Sequence, residues 1–360
     1  MLSRESRRPE VLPKDQDQDK EPFVSICIPT YNAEKTLRET LSSIIGQTYS
    51  NMEIIIVDNA SQDGTCAVIE SFKDPRIKAY RNKENIGAER NWNRCLELAR
   101  GRYIAIFHAD DIYRPMMVEK QVQFMEKNPN IGAVFTSAYR INGPNKVIGE
   151  YSLPEGLSCK EICHFDEVFI ELLKGMNFFI CPSAMVRGEI YKNLALFRTD
   201  LFGTSADLDM WLRILQSHPV GILDEKMMCY RISDTQGSNL YSRLRTSEAD
   251  FFKVMDFYLS NSRKKNLPKD ALDRYALSKL YDKQACFLNY LITGQPFEAK
   301  TLMERNFLSL NAFRDFTSKQ VSKPFLLLWL SVIAFYVLTC LGLGVQSAKA
   351  RQKLRMKYGI

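Results

Sequence analysis

The stretch RYIAIFHADD, from Arg102 to Asp111, places a continuous apolar run directly before an imidazole and two adjacent carboxylates. The run from Tyr103 to Phe107 predicts a strand that is buried on both faces. The acidic pair then follows the carboxyl end of that strand, where open α/β sheets bind their ligands. Two neighbouring carboxylates repel each other unless a donor or a cation compensates, and a divalent metal carrying phosphate oxygens would do so. Alternatively, Asp111 only caps the helix that follows.

The chain before this stretch alternates short apolar runs with amphipathic segments. Apolar runs at Phe23 to Ile28, Met52 to Val57 and Ile77 to Tyr80 predict strands, and the segments between them have the spacing of helices. Short links between such units predict a mostly parallel sheet with right-handed crossovers and helices on both faces. The loop after each strand then reaches the same edge. The polar residues expected there are Thr30, Tyr31, Asp58, Asn85, Asp110 and Asp111.

Polar groups that converge from four loops indicate a nucleotide pocket. An aromatic side chain would contact the base, carboxylates would accept from base or ribose donors, and a metal would bind the diphosphate. Neither GxGxxG after the first strand nor GxxxxGK[ST] occurs in the chain, which disfavours a Rossmann dehydrogenase and a P-loop NTPase. A bound diphosphate would therefore depend on a metal more than on glycine-rich backbone.

Three segments, taken together and in order, resemble the nucleotide-binding half of family 2 glycosyltransferases, which have the GT-A fold. They are VSICIPTY at 24–31, IIIVDNASQDGT at 54–65 and ENIGAERNWNRCLELARGRYIAIFHADD at 84–111. The resemblance implies a nucleoside diphosphate sugar as donor and Mg²⁺ or Mn²⁺ as cofactor, with His108 and Asp110 as candidate metal ligands. The nucleotide-sugar site that it implies comprises Pro29, Thr30, Tyr31, Asp58, Asn85, Gly87, Asn93, His108, Ala109, Asp110 and Arg231.

The same residues have simpler interpretations that sequence leaves open. Asp58 could belong to an ordinary helix entry, and Asn85 with Gly87 to an ordinary turn. His108 stands where the family usually has the first aspartate of its DxD motif; it could ligate a metal, bind a ribose hydroxyl or be a buried histidine satisfied by backbone. A neutral imidazole brings less charge than a carboxylate, so weaker metal binding is expected. Trp92 replaces a common arginine and is interpreted as a core aromatic.

The segment TSADLDMWLR at 204–213 resembles the family's acidic motif at the start of a helix, with Ala206 where glutamate is common. The resemblance implies that Asp207 is the catalytic base, which would activate an acceptor hydroxyl for attack with inversion. The simpler interpretation is an acidic residue in the first turn of a helix. Arg231 is a candidate phosphate contact or a surface salt-bridge partner.

Composition and charge limit the function classes. The apolar fraction of 45% supports a sizeable core, and a net charge of +7 without an arginine-rich stripe makes nucleic acid a poor candidate. Nine scattered cysteines form no disulfide framework and suggest a reducing compartment.

The segment 324–345 carries no charge over 22 residues and is long enough to cross a bilayer or to re-enter it; a buried core helix is the alternative. It predicts a membrane-associated enzyme on the cytoplasmic side of a bacterial inner membrane, with a lipid-linked or surface-polysaccharide acceptor. A weakened sugar-nucleotide-binding protein or a nucleotidyltransferase remains the alternative function. The domains expected are a disordered lead-in at 1–21, the GT-A domain at 22–240, a helical extension at 241–322, the membrane segment at 323–346 and a basic tail at 347–360.

Overall fold

The computed structural model describes residues 21–194, 196–232, 245–261, 267–306 and 323–349. The chain divides into two compact units, Met1–Ser233 and Asp234–Ile360. The predicted lead-in up to residue 20, and the predicted basic tail from residue 350, lie outside the described residues.

Four parallel strands form one half of the sheet in the first unit, in the order β3-β2-β1-β4. All seven residues of β2 are buried, as the continuous apolar run predicted. The helices between these strands begin after the polar loops and bury their apolar positions against the sheet. The α/β alternation predicted from the sequence is therefore confirmed. The elements are β1 Val24–Thr30, α1 Leu37–Ile45, β2 Met52–Asp58, α2 Thr65–Ser71, β3 Ile77–Arg81, α3 Ala88–Leu98 and β4 Tyr103–Ile106.

The other half of the sheet is mixed. Strand β9 lies antiparallel between β4 and β6, while β6 and β10 pair in parallel. Two antiparallel neighbours, β5 and β8, pair with β10, and β7 pairs with β6. The sheet therefore has more antiparallel pairs than the mostly parallel prediction implied. The elements are β5 Ile112–Tyr113, α4 Met117–Lys127, β6 Ala133–Ile141, β7 Val147–Tyr151, β8 Ile162–Cys163, α5 Phe165–Gly175, β9 Met185–Arg187, α6 Gly188–Leu194, α7 Thr199–Phe202, α8 Ala206–Leu215 and β10 Val220–Arg231.

One segment that has the sequence pattern of a strand, the apolar run NFFICPSAMV at 177–186, is mostly not a strand in the structure. The apolar run at 177–186 forms a short 3-10 turn at Cys181–Ser183 before the three-residue strand β9. Pro182 lacks a backbone N–H and has a fixed φ, so it interrupts a strand at that point. The long strand β10 was not predicted, although it is the partner of β6.

The second unit is helical in its described parts. Helices α10 and α11 form a hairpin, and Gly294 adopts a φ of +78° in the turn between them. Their facing side chains Phe287, Leu291, Ala299 and Met303 form a buried cluster. The elements are α9 Asp250–Asn261, α10 Lys269–Ile292, α11 Pro296–Asn306 and α12 Lys323–Cys340.

Among the described residues, no helix is both long and apolar enough to cross a membrane. The prediction that 324–345 spans a bilayer is therefore not supported. Helix α12 has 18 residues and ends at Cys340, and Gly342 follows with a φ of +80°.

Candidate functional site

The carboxyl ends of β1, β2 and β3 meet at one edge of the sheet. The strand register places Thr30 opposite Asp58, and Asp58 opposite Arg81. Thr30 is buried, Pro29 precedes it in the strand, and Tyr31 is 45% exposed just beyond it. The structure thus brings the predicted base-pocket residues together at the edge that the sequence indicated.

The loops after β1 and β2 are joined by hydrogen bonds. The backbone N–H of Asn32 donates to Ser61 Oγ at 2.9 Å, and the N–H of Gln62 donates to Asn32 Oδ1 at 2.9 Å. Asn32 has a φ of +47°, a conformation that asparagine tolerates better than most residues. These hydrogen bonds hold the loop that follows Tyr31 against the loop after β2.

Asp58 has one satisfied and one unsatisfied carboxylate oxygen. Its side chain is 2% exposed, and Oδ2 lies 3.3 Å from Arg81 Nε and accepts from the N–H of Ser61 at 3.2 Å. Oδ1 is buried with no hydrogen-bond partner in the described part of the chain. A buried acceptor without a donor is costly, so Oδ1 is available for an N–H group of a ligand.

A network of asparagines shapes the loop that contains Asn85. Asn59 Nδ2 donates to Asn85 Oδ1 at 2.8 Å and to Gly87 O at 3.2 Å. Asn82 Nδ2 donates to Asn59 Oδ1 at 2.8 Å and to Asn91 Oδ1 at 2.9 Å. Asn85 and Gly87 therefore lie where the sequence indicated, with Asn85 held by the protein. Sequence analysis did not single out Asn59, Asn82 and Asn91. Their recurrence after β2, after β3 and in the first turn of α3 is the pattern that could have identified them.

The segment after β4 gathers three possible metal ligands. Single ligand atoms of His108, Asp110 and Asp111 all lie within 4.8 Å of one another. Asp111 Oδ1 accepts from the N–H of Arg231 at 2.8 Å, whereas Asp111 Oδ2, 3.9 Å from His108 Nδ1, and His108 Nε2 are buried without hydrogen-bond partners among the described residues. These two buried atoms, beside the Asp110 carboxylate, fit a divalent cation.

Burial governs the ionisation of this cluster. It raises the pKa of the Asp111 carboxyl well above its ordinary value, and the neighbouring charge of Asp110 adds to that effect. Burial also lowers the pKa of His108, although Asp110 opposes the shift. The imidazole is therefore neutral at pH 7, which is the form that ligates metals.

The prediction that Asp111 caps a helix is wrong. Strand β5 follows it directly, and α4 begins only at Met117. The sequence named His108 and Asp110 as candidate metal ligands, and in the structure a carboxylate oxygen of Asp111 lies beside them.

The rest of this segment is held by its neighbours. The ring of His108 stacks on Trp92 with 5.9 Å between centroids, so Trp92 forms a wall of the cluster. The backbone N–H of His108 donates to Tyr113 Oη at 2.7 Å, and the carbonyl of Ala109 accepts from Thr36 Oγ1 at 3.0 Å. These contacts hold the backbone of the segment that carries the three candidate ligands.

Arg231 supports the acidic segment from inside the protein. The residue is 4% exposed, and its Nε donates to the carbonyl of Asp110 at 2.7 Å. Nη2 donates to Glu39 Oε2 at 2.8 Å, and Nη1 donates to Asn145 Oδ1 at 2.6 Å. The buried guanidinium thus links α1 and β10 to the acidic segment through hydrogen bonds. It is not presented as the phosphate contact that the sequence suggested.

Asn93 is likewise engaged within the protein. Its Oδ1 accepts from the N–H of Phe197 at 2.9 Å, and its Nδ2 donates to the carbonyl of the same residue at 3.2 Å. Both ends of the amide therefore hold the segment before α7 against α3. A direct contact of Asn93 with a nucleotide stays a prediction.

Asp207 lies in the first turn of α8 and is half-buried. Burial raises the pKa of its carboxyl to about 6, against the lowering effect of backbone N–H groups. Burial and the charges of Asp207 and Asp111 together raise the pKa of the Cys181 thiol. The charges of both carboxylates therefore act on the buried thiol of Cys181. Sequence reasoning missed Cys181 because it lay within a presumed strand.

The second aspartate of the motif has a structural role. Asp209 is fully buried and forms ion pairs with Arg198 and, one helical turn away, with Arg213 at 3.1 Å. Asp209 and Arg213 thus share one face of α8 as an ion pair, which distinguishes Asp209 from Asp207 on the same helix.

Comparison with known proteins agrees with this geometry. The model of the family described as Glycosyl transferase family 2 matches residues 25–195. An uncharacterized glycosyltransferase of Methanocaldococcus jannaschii is 34% identical over 250 residues, covering 68% of this chain and 80% of the relative. A UDP-Glc:alpha-D-GlcNAc-diphosphoundecaprenol beta-1,3-glucosyltransferase of Escherichia coli is 31% identical over 226 residues, covering 62% and 83%.

Solved structures share the fold at low sequence identity. TarS of S. aureus in complex with UDP-GlcNAc has a TM-score of 0.54 at 17% identity, covering 88% of this chain and 81% of that one. A mannosyltransferase of Pyrobaculum calidifontis in complex with GDP-Man and Mn²⁺ has a TM-score of 0.52 at 17% identity, covering 98% and 91%. The identity and coverage of the sequence relatives show that the chain belongs to glycosyl transferase family 2.

Proposed function

We propose that the protein transfers a sugar, with inversion, from a nucleoside diphosphate donor to an acceptor hydroxyl. The observation that carries the proposal is Asp207, a half-buried carboxyl in the first turn of α8 whose pKa burial raises to about 6. A group with that pKa is ionised at neutral pH and is still basic enough to accept a proton.

The donor's base would bind at the ends of β1 and β2. Tyr31 offers an exposed ring, and Asp58 offers an unsatisfied oxygen for a ring N–H. Uracil and guanine both carry such an N–H, so Asp58 does not choose between them. Of the solved structures with a similar fold, one is a complex with UDP-GlcNAc and the other with GDP-Man, so they do not favour uracil over guanine.

The diphosphate would lie against His108, Asp110 and Asp111. These three residues would hold Mg²⁺ or Mn²⁺, as their orphaned atoms indicate. The ion, when bound, would neutralise charge on the departing diphosphate. Arg231 keeps Asp110 and Asp111 in place through its bonds to the carbonyl of one and the carboxylate of the other.

Asp207 would remove the proton from the acceptor hydroxyl as that oxygen attacks the anomeric carbon. The bond from that carbon to the donor diphosphate breaks in the same step, and the diphosphate leaves with the bonding electrons. One displacement inverts the anomeric centre, whereas retention through a covalent intermediate needs a carboxylate that attacks the carbon itself. The carboxyl in α8 accepts a proton and forms no bond to sugar.

The acceptor that we propose is a sugar carried on a lipid diphosphate. Two relatives from Escherichia coli, at 31% and 32% identity, are named for transfer to GlcNAc-diphosphoundecaprenol. An acceptor of this kind would make the protein a membrane-associated enzyme of surface-polysaccharide synthesis, working on the cytoplasmic side of a bacterial inner membrane, where nucleotide sugars are made.

A panel of UDP, GDP and dTDP sugars with a lipid-linked acceptor tests the proposal. Asp207→Asn should reduce turnover by about 10²–10⁴-fold and leave donor binding intact, because it removes only the base. Asp110→Asn should weaken metal-dependent donor binding. Asp200→Asn is the matched control, since that carboxylate is 86% exposed, and it should behave as the wild type.

The pattern of results separates the alternatives. Full activity in both Asp207→Asn and Asp110→Asn would show that the site is wrong. Donor binding without turnover for any sugar would favour a sugar-nucleotide-binding protein, for which the replacement of an aspartate by His108 is the supporting feature.

A further inference from the structure

Helix α12 in the second unit has one face that packs inside the protein. Phe335 and Tyr336 pack against the buried cluster that contains Phe287 and Leu291. Thr339, one turn further along, is only 7% exposed. This side of the helix is accounted for by the packing of the helical unit.

The opposite face of α12 is apolar and exposed. Leu327, Leu330 and Val337 are 57%, 50% and 49% exposed, and Ala334 between them is also exposed. Leu341, just past the helix end, is 67% exposed. Intervals of three and four residues place all five on one side of the helix axis, and we call them the outer stripe. A helix at a water-facing surface normally carries polar residues on its exposed side. The exposed apolar outer stripe is therefore expected to be buried against a binding partner.

The net positive charge of the chain lies in the sequence that includes and flanks this helix. The chain has 49 Lys and Arg against 42 Asp and Glu, and Asp315 is its last acidic residue. Seven basic residues follow Asp315, so residues 1–315 carry 42 of each sign and the entire net charge of +7 lies after it. The seven are Lys319, Lys323, Lys349, Arg351, Lys353, Arg355 and Lys357.

From these two observations we infer that α12 docks on the surface of an anionic lipid membrane, lying along it with the outer stripe inserted. An apolar helix face in a helix whose flanking sequence is basic fits the boundary between acyl chains and anionic headgroups. A second copy of the chain is the weaker candidate, because each copy carries the same excess of positive charge in the sequence that flanks this helix, and like charges repel. Docking of this kind needs neither donor nor acceptor, so it goes beyond the proposed transfer reaction.

Vesicle flotation of the full-length protein tests the inference, with no substrate present. We expect binding to phosphatidylcholine vesicles that contain phosphatidylglycerol, and at least ~10-fold weaker binding to vesicles of phosphatidylcholine alone or at high salt. The double substitution Leu330→Gln with Val337→Gln should weaken binding to the anionic vesicles about tenfold. The reason is that two half-exposed apolar side chains are then no longer transferred from water into the membrane on binding.

A matched control removes equally exposed apolar side chains from another surface. Val147 and Ile148 on β7 are 51% and 47% exposed, and Val147→Gln with Ile148→Gln should leave binding unchanged. Circular dichroism and thermal unfolding should be the same for both double variants, since all four positions are at the surface.

Three results would overturn the inference. They are failure of the wild type to float with anionic vesicles, equal loss of binding in both double variants, and a lipid-free dimer that Leu330→Gln with Val337→Gln dissociates without changing vesicle binding. The flotation assay contains no nucleotide sugar, so a protein that does not float would refute membrane docking but not sugar transfer. A protein that floats but transfers no sugar would refute only the proposed transfer.

Discussion

Lowering the pH from 7 to 5 should reduce kcat/KM for sugar transfer by about tenfold, because Asp207 acts as a base only when it is ionised. Burial raises its pKa from 3.8 to about 6. The ionised fraction then falls from about 0.9 at pH 7 to about 0.1 at pH 5. A carboxyl that kept the ordinary value would remain more than about 90% ionised at both pH values. Activity is thus present above pH 6 and lost as the pH falls through it.

The assay is the initial rate of nucleoside diphosphate release at low donor concentration, with saturating metal and constant ionic strength. Donor binding and circular dichroism at each pH separate loss of the base from loss of the donor or of the fold. Asp207→Asn should be about 10²–10⁴-fold slower and should lack the acidic limb of the profile. An acidic limb near pH 4, or one that persists in Asp207→Asn, would refute the role given to this carboxyl.

Three further substitutions probe the donor site and its support. Asp58→Asn should raise the donor KM by roughly tenfold or more with kcat almost unchanged, because an amide N–H₂ would face the base N–H; an unchanged KM would exclude a base contact. His108→Asp should tighten Mn²⁺ binding, on the order of tenfold by calorimetry, because hard cations prefer carboxylate oxygen, and weaker binding would argue against coordination at this position. Asp209→Asn should lower the free energy of unfolding by about 3 kcal/mol, the low end for a broken buried pair, since Arg198 is 32% exposed while Arg213 is 11% exposed. Denaturant unfolding measures this loss, and an unchanged midpoint would show that the pair is not stabilising.

The first half of the fold was readable from sequence for a physical reason. Parallel strands buried on both faces require continuous apolar runs, and the polar loops that follow them must lie at one edge. β2 shows this in full, because all seven of its residues are buried and Asp58 ends it at the site. The same rule located Thr30 and the acidic pair after β4.

The second half depends on contacts that a local pattern does not encode. Asp111 has the local signature of a helix cap, but Ile112 pairs with Cys229, far along the chain. Arg231 has the signature of a surface cation or phosphate ligand, but its partners include Asp110, 121 residues away, and Glu39, 192 residues away. Such partners become visible only when the fold brings them together.

The predicted membrane segment at 324–345 also shows what a local sequence pattern does not determine. Hydropathy marked 324–345 correctly as apolar, yet hydropathy does not report where a helix ends, and α12 stops at Cys340 before Gly342. The outer stripe of α12 then depends on which residues face the rest of its unit, and that pattern appears only once the helix is packed.

The anomeric configuration of the product tests the central claim most directly. Each nucleotide sugar that is turned over would be allowed to react to completion with the lipid-linked acceptor, and proton NMR would assign the new linkage. A single displacement with Asp207 as base predicts inversion, so an α-linked donor should give a β-linked product. A product that retains the donor's configuration would contradict this mechanism.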